Sequence, residues 1–280
     1  MRKFFIADSF IEDNEKKFEI KQEISIDEKN DLFEQFSFLN ILSIVPFSYK
    51  IFLKNTNEFL AYMKPENLNA LYVETNDAKE IALNANRMIY NFCASAETFI
   101  QHIHIAAKRH GNEAKEAMAK MCSDMYDNHV AYRFLTKLRN CMIHYSYPYR
   151  SMEIIYGRVD IKCKKAELLD YDSWGKAKND LLNMDEEIDL IPYVKEKAGL
   201  LTAIFLEIHR FFLPQFLHAI EVISKLRTEY AIANPIVIET NESITPPLNL
   251  HPLPYELLKE GLEILNKHPG IKIVFKGEVN

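Results

Sequence analysis

The sequence feature that most constrains the fold is an apolar stripe between residues 78 and 109. Its members recur at alternating steps of four and three residues, and they are Ala85, Ile89, Phe92, Ala96, Phe99, Ile103 and Ala106. This spacing places all of these side chains on one face of a long α-helix. Gly111 is predicted to end that helix, and residues 113–125 are predicted to form a second one.

A second amphipathic segment follows at residues 129–150. Its apolar side chains recur at three- and four-residue steps and are Tyr132, Leu135, Leu138 and Met142. Pro148 lacks an N–H group and pushes the residue before it out of the helical region, so this helix is predicted to end around Tyr145–Tyr147. Arg139, Asn140 and His144 then lie in its last two turns.

These three polar residues suit the chemistry of RNA cleavage without a metal ion. An imidazole, with an unperturbed pKa of about 6.5, exchanges protons with a ribose 2′-OH or a leaving 5′ oxygen near neutral pH. A guanidinium holds the phosphate as its charge grows. Asn140 and His144 share a face, so Asn140 is predicted to steady the imidazole, whereas Arg139 lies about 140° round from His144.

The same segment resembles a known family. Arg139-Asn-Cys-Met-Ile-His144 has the form Arg-Asn-x-x-x-His, which is similar to the signature of HEPN domains, small helical bundles of prokaryotic toxins, phage-defence ribonucleases and RNA-guided effectors. Tyr132-Arg-Phe-Leu-x-x-Leu-Arg-Asn, His144-x-x-x-Pro148 and Asn86-Arg87-x-x-x-Asn91-Phe resemble HEPN-type proteins of bacterial abortive-infection systems. The resemblance covers about residues 75–230. HEPN toxins of the nucleotidyltransferase-paired kind carry tyrosine two residues after the histidine, where this chain has Ser146.

The resemblance implies a mainly α, HEPN-like helical bundle that acts as a metal-independent endoribonuclease in phage defence, with no cofactor. Arg139 and His144 would be catalytic, Asn140 would orient, and Arg87 and Asn91 would support the site. A homodimer would bring two histidines to one cleft, supplying a base and an acid. RNA is the expected partner, and an antitoxin protein or an inhibitory RNA is a possible regulator.

Charge distribution adds candidate RNA contacts. The net charge is −6, but residues 133–165 contain eight basic and two acidic side chains. The predicted RNA-binding residues are Arg133, Lys137 and Arg150 for the backbone and Tyr145, Tyr147 and Tyr149 for base stacking, although packing roles for the tyrosines are an equal alternative. Residues 167–189 are acidic and are interpreted as a solvated face, or alternatively as a cover for the basic site.

The remaining sequence predicts a cytoplasmic protein in three parts. The 280 residues are 48% apolar with seven glycines, which favours helices and a substantial core. The four cysteines form no Cys-x-x-Cys pair, and no signal peptide or membrane span is expected.

Residues 1–74 are predicted to form strands and short helices, 75–233 the HEPN-like domain, and 234–280 a small α/β appendage. Further strands are predicted within 152–163, at 236–239 and at 271–275, and helices at 171–182 and 255–267.

Two other functions remain open. In the first, the domain is a catalytically inert HEPN-like RNA-binding or protein-interaction scaffold, Arg139 pairs with an acid, and His144 is an ordinary helix-end residue. In the second, the chain is a metal-dependent nuclease built on Asp160-Ile-Lys162 with Glu153 as a further ligand. His102 and His104 are rejected as a metal pair, because residues two apart on a helix point about 200° from each other.

Overall fold

The apolar stripe lies on a helix of 33 residues, Ala78–His110, in the computed structural model of this chain. Every member of the stripe is buried. The Asp77 carboxylate accepts hydrogen bonds from the backbone N–H groups of Lys79 and Glu80 at the first turn, which stabilises the helix start. Gly111, with φ of +135°, follows the last turn. The prediction for this helix is confirmed.

The structure describes residues 2–150, 153–155, 158–241 and 249–273, with the backbone alone at 153–155 and 158. These residues are mainly helical with a few small antiparallel strands, as predicted. The helices are α1 Ile26–Leu42, α2 Ile44–Tyr62, α3 Pro65–Thr75, α4 Ala78–His110, α5 Asn112–Asn128, α6 Val130–His144, α7 Lys165–Leu169, α8 Ala177–Leu182, α9 Leu190–Phe211, α10 Leu213–Tyr230 and α11 Tyr255–Leu265. The strands are β1 Lys3–Glu12, β2 Glu15–Ile24, β3 Glu153–Ile155, β4 Arg158–Asp160, β5 Cys163–Lys164, β6 Glu187–Ile188, β7 Pro235–Thr240 and β8 Asn249–Pro252.

The chain divides into two compact units, residues 1–43 with 206–280, and residues 44–205. This differs from the predicted division at residues 74 and 233. The reason is strand pairing: β7, in the predicted appendage, pairs antiparallel with β1 from Lys3↔Thr240 to Asp8↔Pro235. The resulting sheet has the order β2-β1-β7-β8, so the two ends of the chain share one sheet.

The first unit packs this sheet and helices α1, α10 and α11 around apolar side chains. Phe38 of α1 meets Phe216 of α10 edge to face, with ring centroids 5.0 Å apart. The Asp8 carboxylate accepts hydrogen bonds from the N–H groups of Ala233 and Asn234, at 3.2 and 2.7 Å. These bonds tie the start of β7 to β1.

The second unit is built on α4, which packs against α2, α5 and α6. Phe52, Phe92 and Phe99 are fully buried between α2 and α4. Phe134 of α6 stacks on Trp174, with centroids 5.7 Å apart. The predicted helix at 171–182 begins only at Ala177, and Trp174 lies in the preceding turn, where its Nε1 donates to the Leu168 carbonyl at 2.8 Å. The motif helix α6 is therefore held from both sides.

Other predicted elements fall as follows. The N-terminal strands, the pairing of β3 with β4, the strand at 236–239 and the helix from Tyr255 are present. Residues 27–62 do not form the short helices predicted for this part of the chain but lie in two long ones, α1 and α2. Pro46 lies in the first turn of α2, where a missing N–H is tolerated. Residues 271–273 have no regular structure, and the rest of the strand predicted there lies outside the described residues. Strand β8 was not predicted.

One helical stretch of the described chain, Ile26–Tyr62, is long and apolar enough to cross a membrane, and the α9–α10 pair passes the same test as a bent span. In Ile26–Tyr62, 44% of the tested window is buried inside the protein. The core helix of a soluble protein satisfies this test equally well, so the finding is weak evidence for a membrane span.

Candidate active site

The motif helix α6 ends at His144, one residue before the predicted exit. The N–H groups of Tyr145 and Ser146 both donate to the Cys141 carbonyl, at 2.8 and 3.0 Å, which closes the last turn. Pro148 and Tyr149 are buried after it. The helix therefore stops because the chain turns inward.

Asn86 of α4 anchors the chain just beyond the motif. Its side-chain Nδ2 donates to the Tyr149 carbonyl at 2.7 Å, and its Oδ1 accepts from the Tyr149 N–H at 3.0 Å. This pair of bonds fixes the backbone five residues after His144 against the central helix. The Tyr149 ring is 2% exposed, so it does not lie at the mouth of a cleft for base stacking.

His144 is exposed at the end of α6. Within the described residues it has no hydrogen-bond or ion-pair partner. The predicted bond from Asn140 to this imidazole is wrong, because the Asn140 Oδ1 instead accepts a hydrogen bond from the Arg139 Nη1 at 3.2 Å. Asn140 thus orients the guanidinium and, among the described residues, forms no hydrogen bond with the imidazole.

Arg139 is half-buried, and its Nε is shielded from solvent without a hydrogen-bond partner among the described residues. No carboxylate in that part of the chain pairs with it. Burial raises the pKa of Cys93 on α4 and lowers that of Lys197 on α9, and the positive charge of Arg139 is a smaller influence that favours a lower pKa for both groups. The guanidinium therefore borders the interior of the unit, while His144 faces solvent. Among the described residues, no hydrogen bond joins the two side chains.

Arg133, one of the predicted RNA-binding residues, is hydrogen-bonded to other residues of its own chain. Its Nε and Nη2 donate to both oxygens of the Asp180 carboxylate, at 2.6 and 2.9 Å, and its Nη1 donates to the carbonyls of Tyr126 and Asp127. Its side chain is 12% exposed. The RNA-binding prediction for Arg133 is therefore not supported, because these acceptors already occupy its guanidinium.

The other predicted RNA contacts are more accessible. Tyr145 and Tyr147 are about half exposed, at 49% and 48%. The Arg150 guanidinium lies 5.6 Å from the Tyr145 ring centroid and 3.6 Å from the Glu167 carboxylate. Lys137 is half-buried, and the end of its side chain lies beside Gly175. Glu167 and Asp180 belong to the acidic stretch, so part of that stretch contacts basic side chains of the motif region.

Arg87 and Asn91 of α4 are predicted to support the site, but their hydrogen bonds are to residues outside the motif. Arg87 is exposed, and its Nε donates to Asn84 at 3.4 Å. The Asn91 carbonyl accepts from Ser95 at 2.7 Å, and its side chain lines a groove with Asn55 and Thr98. Among the described residues, neither forms a hydrogen bond or ion pair with the motif.

Two residues near the motif were missed by sequence reasoning. Asn86 is part of the upstream Asn86-Arg87-x-x-x-Asn91-Phe pattern, but its hydrogen-bond partner, Tyr149, lies 63 positions later. No local spacing indicates that contact. Lys197 is 5% exposed in the middle of α9. Its sequence neighbourhood, Tyr193 to Leu201, is amphipathic, and a lysine there is typical of a solvated face. Only packing shows that it is buried.

The residues proposed for a metal-dependent nuclease have other partners. Lys162 donates to Asp160 at 3.0 Å and to Glu187 at 3.1 Å. The Glu153 side chain lies outside what the structure describes. Over the described part of the chain, no three His, Cys, Asp or Glu side chains lie close enough together to hold a metal ion.

Comparison with known proteins adds no relative: no protein-family model, curated protein or solved structure matches this chain.

Proposed function

We propose that this chain is a metal-independent endoribonuclease of the toxin-like, phage-defence type, with Arg139 and His144 as its catalytic residues and Asn140 orienting Arg139. In this proposal a HEPN-like fold supplies the scaffold, RNA is the substrate, and the protein acts in the cytoplasm as a homodimer. An antitoxin protein or an inhibitory RNA would hold it inactive.

The observation that carries the proposal is the absence of carboxylate partners for Arg139 and His144 within the described residues. Arg133, two turns earlier on the same helix, is neutralised by Asp180, and Arg150 lies near Glu167. Arg139 uses one of its five donors, for Asn140. An arginine with unused donors binds phosphate oxygens well, and an exposed imidazole accepts and returns protons. Lys137, Tyr145, Tyr147 and Arg150 remain candidates for RNA contact.

The experiment is RNA cleavage in excess EDTA by wild type, Arg139→Ala and His144→Ala, with His218→Ala, an exposed histidine of α10, as the matched control. We expect His144→Ala to lose about 10²- to 10⁴-fold in rate, the usual contribution of one acid–base group. Arg139→Ala should lose about 10²- to 10³-fold, the usual cost of removing one donor that stabilises charge in the transition state. The control should keep wild-type activity. Unchanged cleavage by His144→Ala would refute its assignment, and loss of wild-type cleavage on adding EDTA would refute the metal-free mechanism.

A second prediction concerns the ends of the products. Attack by the 2′-OH on the adjacent phosphate leaves a 2′,3′-cyclic phosphate on one fragment and a 5′-OH on the other. We expect mass spectrometry to find these ends and an oligonucleotide with a single 2′-deoxy nucleotide at the cleaved position to resist. DNA should be spared, because it lacks the attacking hydroxyl. Cleavage of single-stranded DNA at a similar rate would contradict this mechanism.

The inert scaffold is the second candidate, and it is favoured by the different exposure of Arg139 and His144, which share no hydrogen bond within the described residues. An inert domain binds RNA equally well with and without His144 and cleaves none. Filter binding of the same oligonucleotide, measured beside cleavage, distinguishes the two functions.

A further inference from the structure

Lys197 of α9 carries a buried ammonium group. It is 5% exposed, its Nζ donates to Thr136 Oγ1 at 2.9 Å, and it lies 5.0 Å from the Tyr132 ring centroid. The Thr136 hydroxyl in turn donates to the Tyr132 carbonyl at 2.7 Å. The ammonium is therefore fixed by a short hydrogen-bond chain and an aromatic face.

This ammonium lies on the same face of α6 as Arg139. Tyr132, Thr136 and Arg139 are spaced by four and three residues, so they follow one another along that face. Lys197 contacts the first two. Burial is the main cause of the lowered pKa of Lys197, and the charge of Arg139 adds a smaller effect in the same direction. Two positive charges thus occupy neighbouring positions on one half-buried surface.

The titratable groups around this pair include two thiols and one carboxylate. Burial raises the pKa of Cys93 to about 12 and that of Cys122 to about 11, so both thiols are neutral near pH 7. Glu97 is the carboxylate whose charge acts on Lys197, and its Oε1 accepts from Gln101 at 2.9 Å. It forms no ion pair with Lys197 or Arg139 in the described part of the chain. An oxyanion near Arg139 would compensate the remaining charge.

We propose that Lys197 is a positioning residue that holds the guanidinium of Arg139 at the outer end of this face and strengthens its attraction for one phosphate group. Like charges repel, so the ammonium opposes withdrawal of the guanidinium into the bundle. It also adds to the positive potential that a phosphate meets there. The phosphate itself contacts Arg139, because Lys197 is shielded from solvent. The inference rests on the proposed role of Arg139 and deepens it.

Inorganic sulfate is a probe that needs no RNA cleavage. We expect sulfate to raise the melting temperature of wild type, measured against chloride at equal ionic strength. Lys197→Met keeps the side-chain length and removes the charge, and it should weaken the apparent sulfate affinity about tenfold. Arg139→Ala should abolish the response. Lys195→Met is the matched control on α9, since Lys195 is exposed, and it should respond like wild type.

A pH series tests the charge itself in the unmodified protein. Burial lowers the pKa of Lys197 from 10.5 to about 8. The ammonium is therefore charged below that pH and loses its charge above it. Sulfate affinity of wild type should fall as pH rises through about 8, and this step should be missing in Lys197→Met. The flanking thiols titrate at higher pH, so they do not produce it.

The possible results separate this inference from the proposed function. A sulfate response that depends on both Arg139 and Lys197 supports the positioning role even if wild type cleaves no RNA, in which case the ribonuclease proposal alone fails. A sulfate response equal in Lys197→Met and wild type overturns the inference, and so does the absence of any response in wild type. RNA cleavage that needs Arg139 and not Lys197 overturns the inference and leaves the ribonuclease proposal standing.

Discussion

Arg133 and Arg139 lie six residues apart on the motif helix and have opposite surroundings. Arg133 forms a two-point ion pair with Asp180 and also binds two carbonyls at the end of α5. Arg139 has one hydrogen bond, to its neighbour, and no acid partner within the described residues. Charge alone therefore does not identify a phosphate-binding residue, because a neutralised guanidinium stabilises the fold and an uncompensated one attracts anions.

Replacing Arg133 tests its structural role. Arg133→Ala leaves Asp180 and the carbonyls of Tyr126 and Asp127 without their donor, so we expect it to lower the free energy of unfolding by about 2 kcal/mol. Lys137→Ala, one turn further along α6, should change it by less than about 0.5 kcal/mol. Urea denaturation followed by circular dichroism measures both. Equal stabilities for the two variants would return Arg133 to the list of RNA-binding candidates.

The helices were predictable where one apolar face repeats over many turns. The stripe on α4 fixes its length to within a residue, and Pro148 places the end of α6 correctly. What the sequence could not show is which polar side chains point inward. Lys197 and Asn86 look like surface residues in sequence, and their burial depends on partners 61 and 63 positions away.

Asn86 is the clearest case of an element fixed by one distant contact. Asn86→Ala removes both bonds to the Tyr149 backbone, and that backbone is partly buried. We expect a loss of about 2 kcal/mol in stability and faster hydrogen exchange at the Tyr149 amide. Asn84→Ala, on the same helix, is the control and should cost less than about 0.5 kcal/mol. Unchanged exchange at Tyr149 would show that Pro148 alone fixes this turn.

At the scale of the whole molecule, the sheet explains why the predicted domain boundaries differ from the structure. Pairing of β1 with β7 joins residues more than 220 positions apart. Short alternating runs indicate that strands exist, but they do not identify their partners, because register depends on burial of one face in the folded chain. Residues 1–43 of the predicted N-terminal segment and the predicted appendage thus belong to one unit, whereas residues 44–74 belong to the other.

The positions of Arg139 and His144 within one chain also bear on whether two chains would form the active site together. Arg139 and His144 are separated by about 7.5 Å along the axis of α6 and differ in exposure, with the guanidinium half-buried and the imidazole exposed. A single histidine supplies either the base or the acid, whereas cleavage by 2′-OH attack benefits from both. Packing of two motif helices around a twofold axis would place two exposed imidazoles and two guanidinium groups in one cleft.

This composite site predicts complementation between inactive subunits. Random reassortment of Arg139→Ala and His144→Ala chains gives mixed dimers as about half of the population, and each mixed dimer keeps one arginine and one histidine. We expect the mixture to cleave RNA measurably faster than either variant alone, with light scattering reporting a dimer of twice 32.7 kDa. Differently labelled subunits, followed by energy transfer, provide the control for exchange. A wild-type monomer with full activity would refute the shared cleft, because each active site would then be complete within one chain.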